Sequence, residues 1–307
     1  MTGLKKNPPA RVRNRIIRGV GDSVVETICT AVVGIFALCC LAPFVYVFFT
    51  SFMPYTEYLE NPLRIIPATF TLQAYRQIWD YALFRSGYAV TIFITVVGTT
   101  LSVFLLTISA YPLSKPGLKG RKIIMGMILF TMFFNGGMIP NYLLIRGLGL
   151  FNTVWALIIP GSISAFLLIL MKNFIRITIP ESLEEAAKVD GANDLRILFS
   201  IVVPLLKPAI ATMTIFSAVQ YWNSYYASML YISDRKLWPL MLVLRELVVE
   251  DTSAVSPVTQ MLTSAARTHP FTLKMAAIVI TLLPILMIYP FMQRYFVKGI
   301  SLGSVKE

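Results

Sequence analysis

Glu185 to Pro208 read EAAKVDGANDLRILFSIVVPLLKP, a charged, glycine-broken stretch between two long apolar runs. Pro180, Glu181 and Ser182 make a helix start, since proline fits the first turn and early acids suit the positive end of the helix dipole. Leu183, Ala186, Ala187 and Val189 then supply a small apolar face. Asp190-Gly191 breaks the helix, because glycine reaches positive φ freely and Asp turns the chain readily. From Ala192 to Ser200 the pattern resumes helically, with Leu195, Leu198 and Phe199 expected to face a bundle. Pro204 and Pro208 follow, where the next apolar run begins. On residue types alone, an ordinary amphipathic surface helix reads this stretch equally well.

The chain around it is a membrane chain by composition. Of 307 residues, 56% are hydrophobic and only 14% charged, against roughly a quarter charged in soluble domains. Mean hydropathy is +0.71. Six runs approach the ~20 apolar residues that a spanning helix needs: about Val24 to Phe49, Tyr88 to Tyr111, Ile123 to Ile145, Thr153 to Met171, Phe199 to Tyr221 and Met275 to Phe296. Pro284 is expected to kink the sixth. The basic stretch before the first run resembles the start of a signal peptide, but the run is longer than a signal core, so an uncleaved span is expected. The layout is then a basic N-terminal segment (1–23), a six-helix transmembrane domain (24–298) and a short tail (299–307).

The net charge of +12 fits basic loops on a negatively charged cytoplasmic leaflet better than nucleic acid, for which no basic, aromatic-studded surface separates from the spans. With the N-terminus inside, the inner segments hold most of the 27 basic residues, including Arg11, Arg13, Arg15 and Arg18, Lys115 to Lys122, and Lys172 to Lys207. The positive-inside rule then places both termini, and the Glu185 stretch, in the cytoplasm.

Catalytic and metal chemistry find little here. Cys29, Cys39 and Cys40 lie in the first apolar run with no ligand spacing, and His269 is the single histidine. No Gly-x-x-x-x-Gly-Lys-Ser/Thr motif occurs, so the chain is expected neither to bind nor to hydrolyse ATP. The spans contain almost no ionisable residues, which argues against a proton- or sodium-coupled carrier and against a membrane-embedded enzyme.

Two polar features interrupt the apolar pattern. Asn135-Gly136-Gly137 breaks the third run, either to let helices pack closely or as an unwound segment beside a pathway. Gln220, Tyr221, Trp222, Asn223, Tyr225 and Tyr226 cluster at the end of the fifth run. They read either as an interfacial aromatic belt or as rings and amides suited to sugars. The outer segments, Pro54 to Arg85 and Ser233 to Thr272, include the short apolar run Leu237 to Leu244, which either lies at the interface or offers a docking surface.

The pattern Glu185-Ala186-Ala187-x-x-Asp190-Gly191-Ala192, with Pro204 and Pro208 downstream, resembles the EAA loop of ABC importer permeases. FFNGGMIP at 133–140, LGLFNTVWA at 148–156 and YPFMQRYFVKG at 289–299 are similar to the MalG-like, LplC/YtcP-type carbohydrate-uptake permeases. The likeness implies an all-α membrane fold of the type I importer (MetI-like) kind with a cytoplasmic coupling helix. It implies a role for Glu184, Glu185, Ala186, Ala187, Asp190, Gly191, Ala192 and Pro204 in coupling to an ATPase, with Glu185 near a basic residue of that subunit. It also implies a second homologous permease, two ATPase subunits that bind ATP and Mg, an extracytoplasmic solute-binding protein, a bacterial inner-membrane location and a carbohydrate substrate. No cofactor is expected in this subunit. Asn135, Gly136, Gln220, Tyr221, Asn223 and Tyr225 are the candidate pathway residues. A peptide or polyamine permease is the alternative that the residues leave open.

Overall fold

The computed structural model describes residues 20–62, 64–249 and 270–304, and every regular element among them is helical. The basic N-terminal segment lies almost wholly outside the described residues, as do His269 and much of the outer segment from Ser233 to Thr272. The chain divides into two units, residues 1–47 and 48–307.

The first unit consists, where described, of most of α1 (Val20–Thr50). Its apolar side chains, Val25, Val32 and Phe36 among them, are exposed.

The second unit is organised along α4 (Ala82–Ser114), a 33-residue helix about 50 Å long at 1.5 Å per residue. That exceeds a hydrocarbon core of about 30 Å, so the helix is long enough to cross one even when tilted. Phe84, Gly87, Thr91, Ile94, Gly98, Ser102, Leu106 and Ala110 are buried, recurring every three to four residues as one helical face requires. Gly87, Gly98, Ser102 and Ala110 are small, which lets neighbouring backbones approach. The most extensive packing of α4 is with three helices: α8 (Ala165–Thr178), α12 (Lys207–Trp222) and α14 (Leu240–Val249). The last helix, α15 (Pro270–Ser304), packs on α12, α14 and α3 (Gln73–Asp80) and continues through Pro284 and Pro290.

Three layers of core follow one another along α4. At one end Phe84 packs with Ile78, Leu240, Val243 and Ala276. In the middle Ile94 packs with Ile158, Tyr221 and Ile232. At the far end Leu106, Ala110 and Leu113 pack with Met171, Ile175, Ile197, Val202 and Met213. The Thr91 hydroxyl accepts a buried hydrogen bond of 2.7 Å from the Leu240 amide, which satisfies an orphan donor at the start of α14.

Three helices are long and apolar enough to cross a membrane, by length and composition: Val24–Thr50, Ala82–Ser114 and Phe271–Pro290. Two bent pairs raise the number to five if each counts as one span. The first pair is α5 (Arg121–Phe133) and α6 (Met138–Gly147), bent by 116° across Asn135-Gly136-Gly137. The second is Asp194–Leu205 and α12, bent by 82°.

The expected fourth span, Thr153 to Met171, is not a continuous helix. It holds α7 (Trp155–Ile158), of four residues, then a break, then the first half of α8. Pro160 accounts for the break: it has no amide to donate to the Ala156 carbonyl and its ring crowds that carbonyl, while Ile159 before it keeps helical angles of φ −66° and ψ −49°. Gly161 beyond it makes room for Gln220, whose Nε2 would lie 3.4 Å from a β-carbon there.

Candidate functional site

The helix beginning at Glu181 is α9 (Glu181–Val189), capped by Pro180 in extended conformation. Its C-terminus closes as a Schellman turn. The Ala192 amide donates to the Ala187 carbonyl at 2.9 Å, and the Gly191 amide donates to that of Lys188 at 3.0 Å. Gly191 has φ +79°, a left-handed conformation that costs a residue with a β-carbon about 1–2 kcal/mol. Ala187 is buried and Ala192 packs beside it in the same core cluster, the apolar contact that commonly accompanies this turn.

One face of α9 is therefore committed to its own chain. Ala187 packs in the cluster of Leu106, Ala110, Tyr111, Met171, Ile175 and Ile179. Glu184 pairs with Lys115 at the end of α4. The other face is free of that packing: Ser182, Glu185, Ala186 and Val189 are exposed, and Val189 is 87% exposed. These four fall at i, i+3, i+4 and i+7, one continuous helical stripe. The apolar face expected from Leu183, Ala186, Ala187 and Val189 is thus split. Ala187 turns inward and Leu183 is only partly exposed, while Ala186 and Val189 point away, because at 100° per residue adjacent alanines cannot share one narrow face.

Beyond Gly191 the chain does not resume helically at Ala192. Asn193 caps α10 (Asp194–Ile197), its side chain accepting from the Arg196 amide at 2.8 Å. Lys188 and Asp194 form an ion pair of 3.2 Å across the turn. Leu198 is buried as expected, but Leu195 and Phe199 are 64% and 51% exposed. A π-helical turn over Leu198–Val202 rotates the residues that follow relative to a regular α-helix. Phe199 instead lines a cavity of about 370 Å³ with Thr99, Thr100, Thr107 and Thr214. Pro204 sits in α11 (Val203–Leu205), just before the bend at Leu206.

The pathway candidates divide into two groups. Asn135 shapes the α5–α6 bend: its side-chain oxygen accepts from the Gly137 amide at 3.0 Å and from Asn141 Nδ2 at 3.2 Å. Gly136 is exposed in the same bend. The other group lies where α12 passes into α13 (Tyr226–Tyr231). There Gln220, Asn223 and Tyr225 are exposed, and Asn223 Nδ2 donates to the Val219 carbonyl at 2.9 Å. Tyr221 differs from its neighbours. It is buried, its hydroxyl donates to the Ile158 carbonyl at 3.0 Å, and it lies 3.1 Å from Ser102 Oγ. It is a packing residue between α4, α7 and α12. The helices that follow the two groups, α6 and α13, meet where the Tyr142 and Tyr231 rings stack with centroids 6.5 Å apart.

The partner of Glu184 was not among the expected site residues. Lys115 lies 69 positions away and only the fold joins them; the Ser114-Lys115-Pro116-Gly117 loop carries no local sign of it. Among the described residues no group of three or more His, Cys, Asp or Glu side chains could hold a metal ion.

Known proteins match this arrangement over nearly its whole length. The chain is 45% identical over 271 residues to the polygalacturonan/rhamnogalacturonan transport system permease protein YtcP of Bacillus subtilis (strain 168), covering 88% of this chain and 94% of YtcP. It is 43% identical over 267 residues to protein LplC of the same organism, covering 87% and 89%. Among solved structures, it superposes on a chain of a bacterial ABC transporter involved in import of the acidic polysaccharide alginate. The TM-score is 0.84 at 35% identity, with 91% of this chain and 98% of that one covered. Residues 107–302, more than half of the chain, match the model for binding-protein-dependent transport system inner membrane components, and the chain belongs to that family.

Proposed function

We propose that this protein is the non-catalytic permease subunit of an ATP-driven importer, and that α9 is the helix through which separate ATPase subunits drive it. The observation that carries this reading is the stripe Ser182, Glu185, Ala186 and Val189. It is a solvent-facing surface on a helix whose opposite side is fastened to the bundle by Ala187, by the Glu184–Lys115 ion pair and by the Schellman turn. A rigidly backed helix with small residues outward suits insertion into a groove of another protein. Glu185 supplies the one charge of the stripe and would face a basic residue of the ATPase.

In this reading α7 and α8 complete a sixth span. Both termini and α9 are cytoplasmic, and a second homologous permease completes the pore. Two ATPase subunits hold ATP and Mg, and a solute-binding protein delivers substrate from outside. The cargo is a carbohydrate, supported by the polygalacturonan/rhamnogalacturonan and alginate systems to which relatives of 45% and 35% identity belong. Asn135, Gln220, Asn223 and Tyr225 are the exposed polar and aromatic groups along the route.

The test is co-purification and uptake. Val189→Asp places a charge in the outward stripe without touching the core. It is expected to release the ATPase subunits and abolish uptake of labelled oligosaccharides while the chain still reaches the membrane. Retention of both by Val189→Asp and by Glu185→Arg would falsify the docking assignment. Uptake of peptides in place of oligosaccharides would remove the carbohydrate assignment alone.

A further inference from the structure

The far side of α9 carries a charge arrangement that the outward stripe does not use. Lys115 is the C-cap of α4. Its ammonium pairs with Glu184 and lies 4.3 Å from the centre of the Tyr111 ring. The pair is well shielded, the Glu184 side chain being 12% exposed and that of Lys115 27%. Burial, followed by the charge of Lys188, holds the Lys115 ammonium below the usual lysine range against the pull of Asp194 and Glu181. A shielded ion pair over an aromatic face resists separation, because removing either partner strands the other charge.

The second connection from α9, onward to α12, is built differently. It passes through the four residues of α10, the π-turn, Pro204 and the 82° bend at Leu206. Proline and a π-turn both interrupt the regular ladder of backbone hydrogen bonds. That segment is packed through Ile197, Val202 and Leu206 in the core, but it offers no continuous backbone ladder along its length. Displacement of α9 thus meets an ion-paired link toward α4 and an interrupted backbone toward α12.

We propose that Lys115 is a positioning residue that carries the displacement of α9 into α4, so that α4 takes up the stroke first. The proposal rests on α9 being the ATPase-docking helix, and its test keeps the two apart. The assembled transporter is used, in a background lacking Cys29, Cys39 and Cys40. Single cysteines at Phe104 of α4 and Phe216 of α12, both exposed, report the ATP-dependent change in thiol-labelling rate. Variants are Lys115→Met, Lys115→Arg, Glu184→Lys and the Lys115→Glu/Glu184→Lys exchange.

Lys115→Met keeps the aliphatic stem over Tyr111 and removes only the charge. It is expected to retain the ATPase subunits yet lower the ATP response at position 104 by about tenfold, the scale of coupling between contacting residues. The response at 216 should fall less. Lys115→Arg and the exchange should restore most of it. An unchanged response at 104 in Lys115→Met, equal losses at 104 and 216, or an exchange no better than Glu184→Lys alone each overturns the proposal. Loss of the ATPase subunits in Glu184→Lys also overturns it, since Glu184 would then belong to the docking face. Retention of the ATPase and of uptake by both Val189→Asp and Glu185→Arg, with the 104 response of Lys115→Met still lowered, strikes the docking assignment and leaves the Lys115 link to α4 standing.

Discussion

The ring of Tyr221 lies flat against Gly98, so close that a β-carbon on residue 98 would come within 2.7 Å of Tyr221 Cζ. The contact allows α4 and α12 to meet at backbone range in the middle layer of the core, and the tyrosine hydroxyl then bridges Ser102 and the Ile158 carbonyl. Gly98→Ala should push the two helices apart and cost about 1–3 kcal/mol, as overpacking of a filled core does. Tyr221→Phe keeps the ring and leaves the Ile158 carbonyl unpaired, for about 1–2 kcal/mol. Thermal unfolding in detergent should rank Gly98→Ala as the more damaging change. A ranking in which Gly98→Ala is neutral would mean that the helices separate freely.

Asn152 is the one described residue other than glycine with positive φ, at +60°. Its side-chain oxygen accepts from the Ser233 and Asp234 amides at 3.0 and 2.8 Å, and its own amide donates to the Tyr231 carbonyl at 2.8 Å. Asn152 thereby fastens the loop after α6 to the loop after α13. Asn152→Gly keeps the backbone and loses the acceptor, whereas Asn152→Ala loses the acceptor and adds left-handed strain. Hydrogen exchange at Ser233 and Asp234 should quicken in both, and stability should fall further in Asn152→Ala. Unchanged exchange at the two amides would remove the clamp.

Glu57, in the short helix α2 (Tyr55–Glu60), holds the loop that follows it. Its carboxylate accepts from the Ala68 amide at 2.5 Å and the Thr69 amide at 3.3 Å, and Arg64 Nε lies 3.5 Å away. The Ala68 hydrogen bond chiefly, against some desolvation, holds its pKa below the ordinary glutamate value. A lowered folded-state pKa stabilises the loop above the unfolded value, about 4.3, and the contribution disappears as pH falls through the lower folded one. Amide protection at Ala68 and Thr69 should therefore hold at neutral pH and fall on acidification below about 4. In Glu57→Gln the protection should be weaker at pH 7 and lose this acid dependence. A loop in wild type that is indifferent to acid would remove Glu57 as its anchor.

Much of this architecture is legible in the sequence because its causes are local. The apolar runs behind α1, α4 and α15 need only length and composition, and Asp190-Gly191 turns the chain because glycine accepts φ +79° without cost. Asn135-Gly136-Gly137 likewise announces an interruption of the third run, read as close packing or an unwound segment, though not the 116° bend found there. What escapes is what depends on distant partners or on phase. The Thr153 to Met171 run is apolar enough for a span, yet Pro160 divides it. The π-turn at Leu198–Val202 shifts the phase by which Phe199 was expected to face inward, and in the short helix before it Ile197, not Leu195, takes the inward position. The Lys115–Glu184 ion pair joins a basic residue of an inner segment to a glutamate assigned to ATPase coupling, and only the folding of α4 against α9 brings the two together.

The turn that closes α9 offers the sharpest graded test of the docking surface. Gly191 closes the helix just beyond Val189, through the two hydrogen bonds that end it at Ala187 and Lys188. No neighbouring atom lies within 4 Å of a β-carbon built there, so a substitution meets only backbone strain and no clash. Asn tolerates the left-handed region, Ala pays about 1–2 kcal/mol, and Val pays more because its branched β-carbon crowds the carbonyl. Retention of the ATPase subunits should therefore fall in the order Gly, Asn, Ala, Val at position 191, with uptake following the same order. If all four retain the ATPase equally, the stripe does not depend on the turn, and Gly191 has no part in docking.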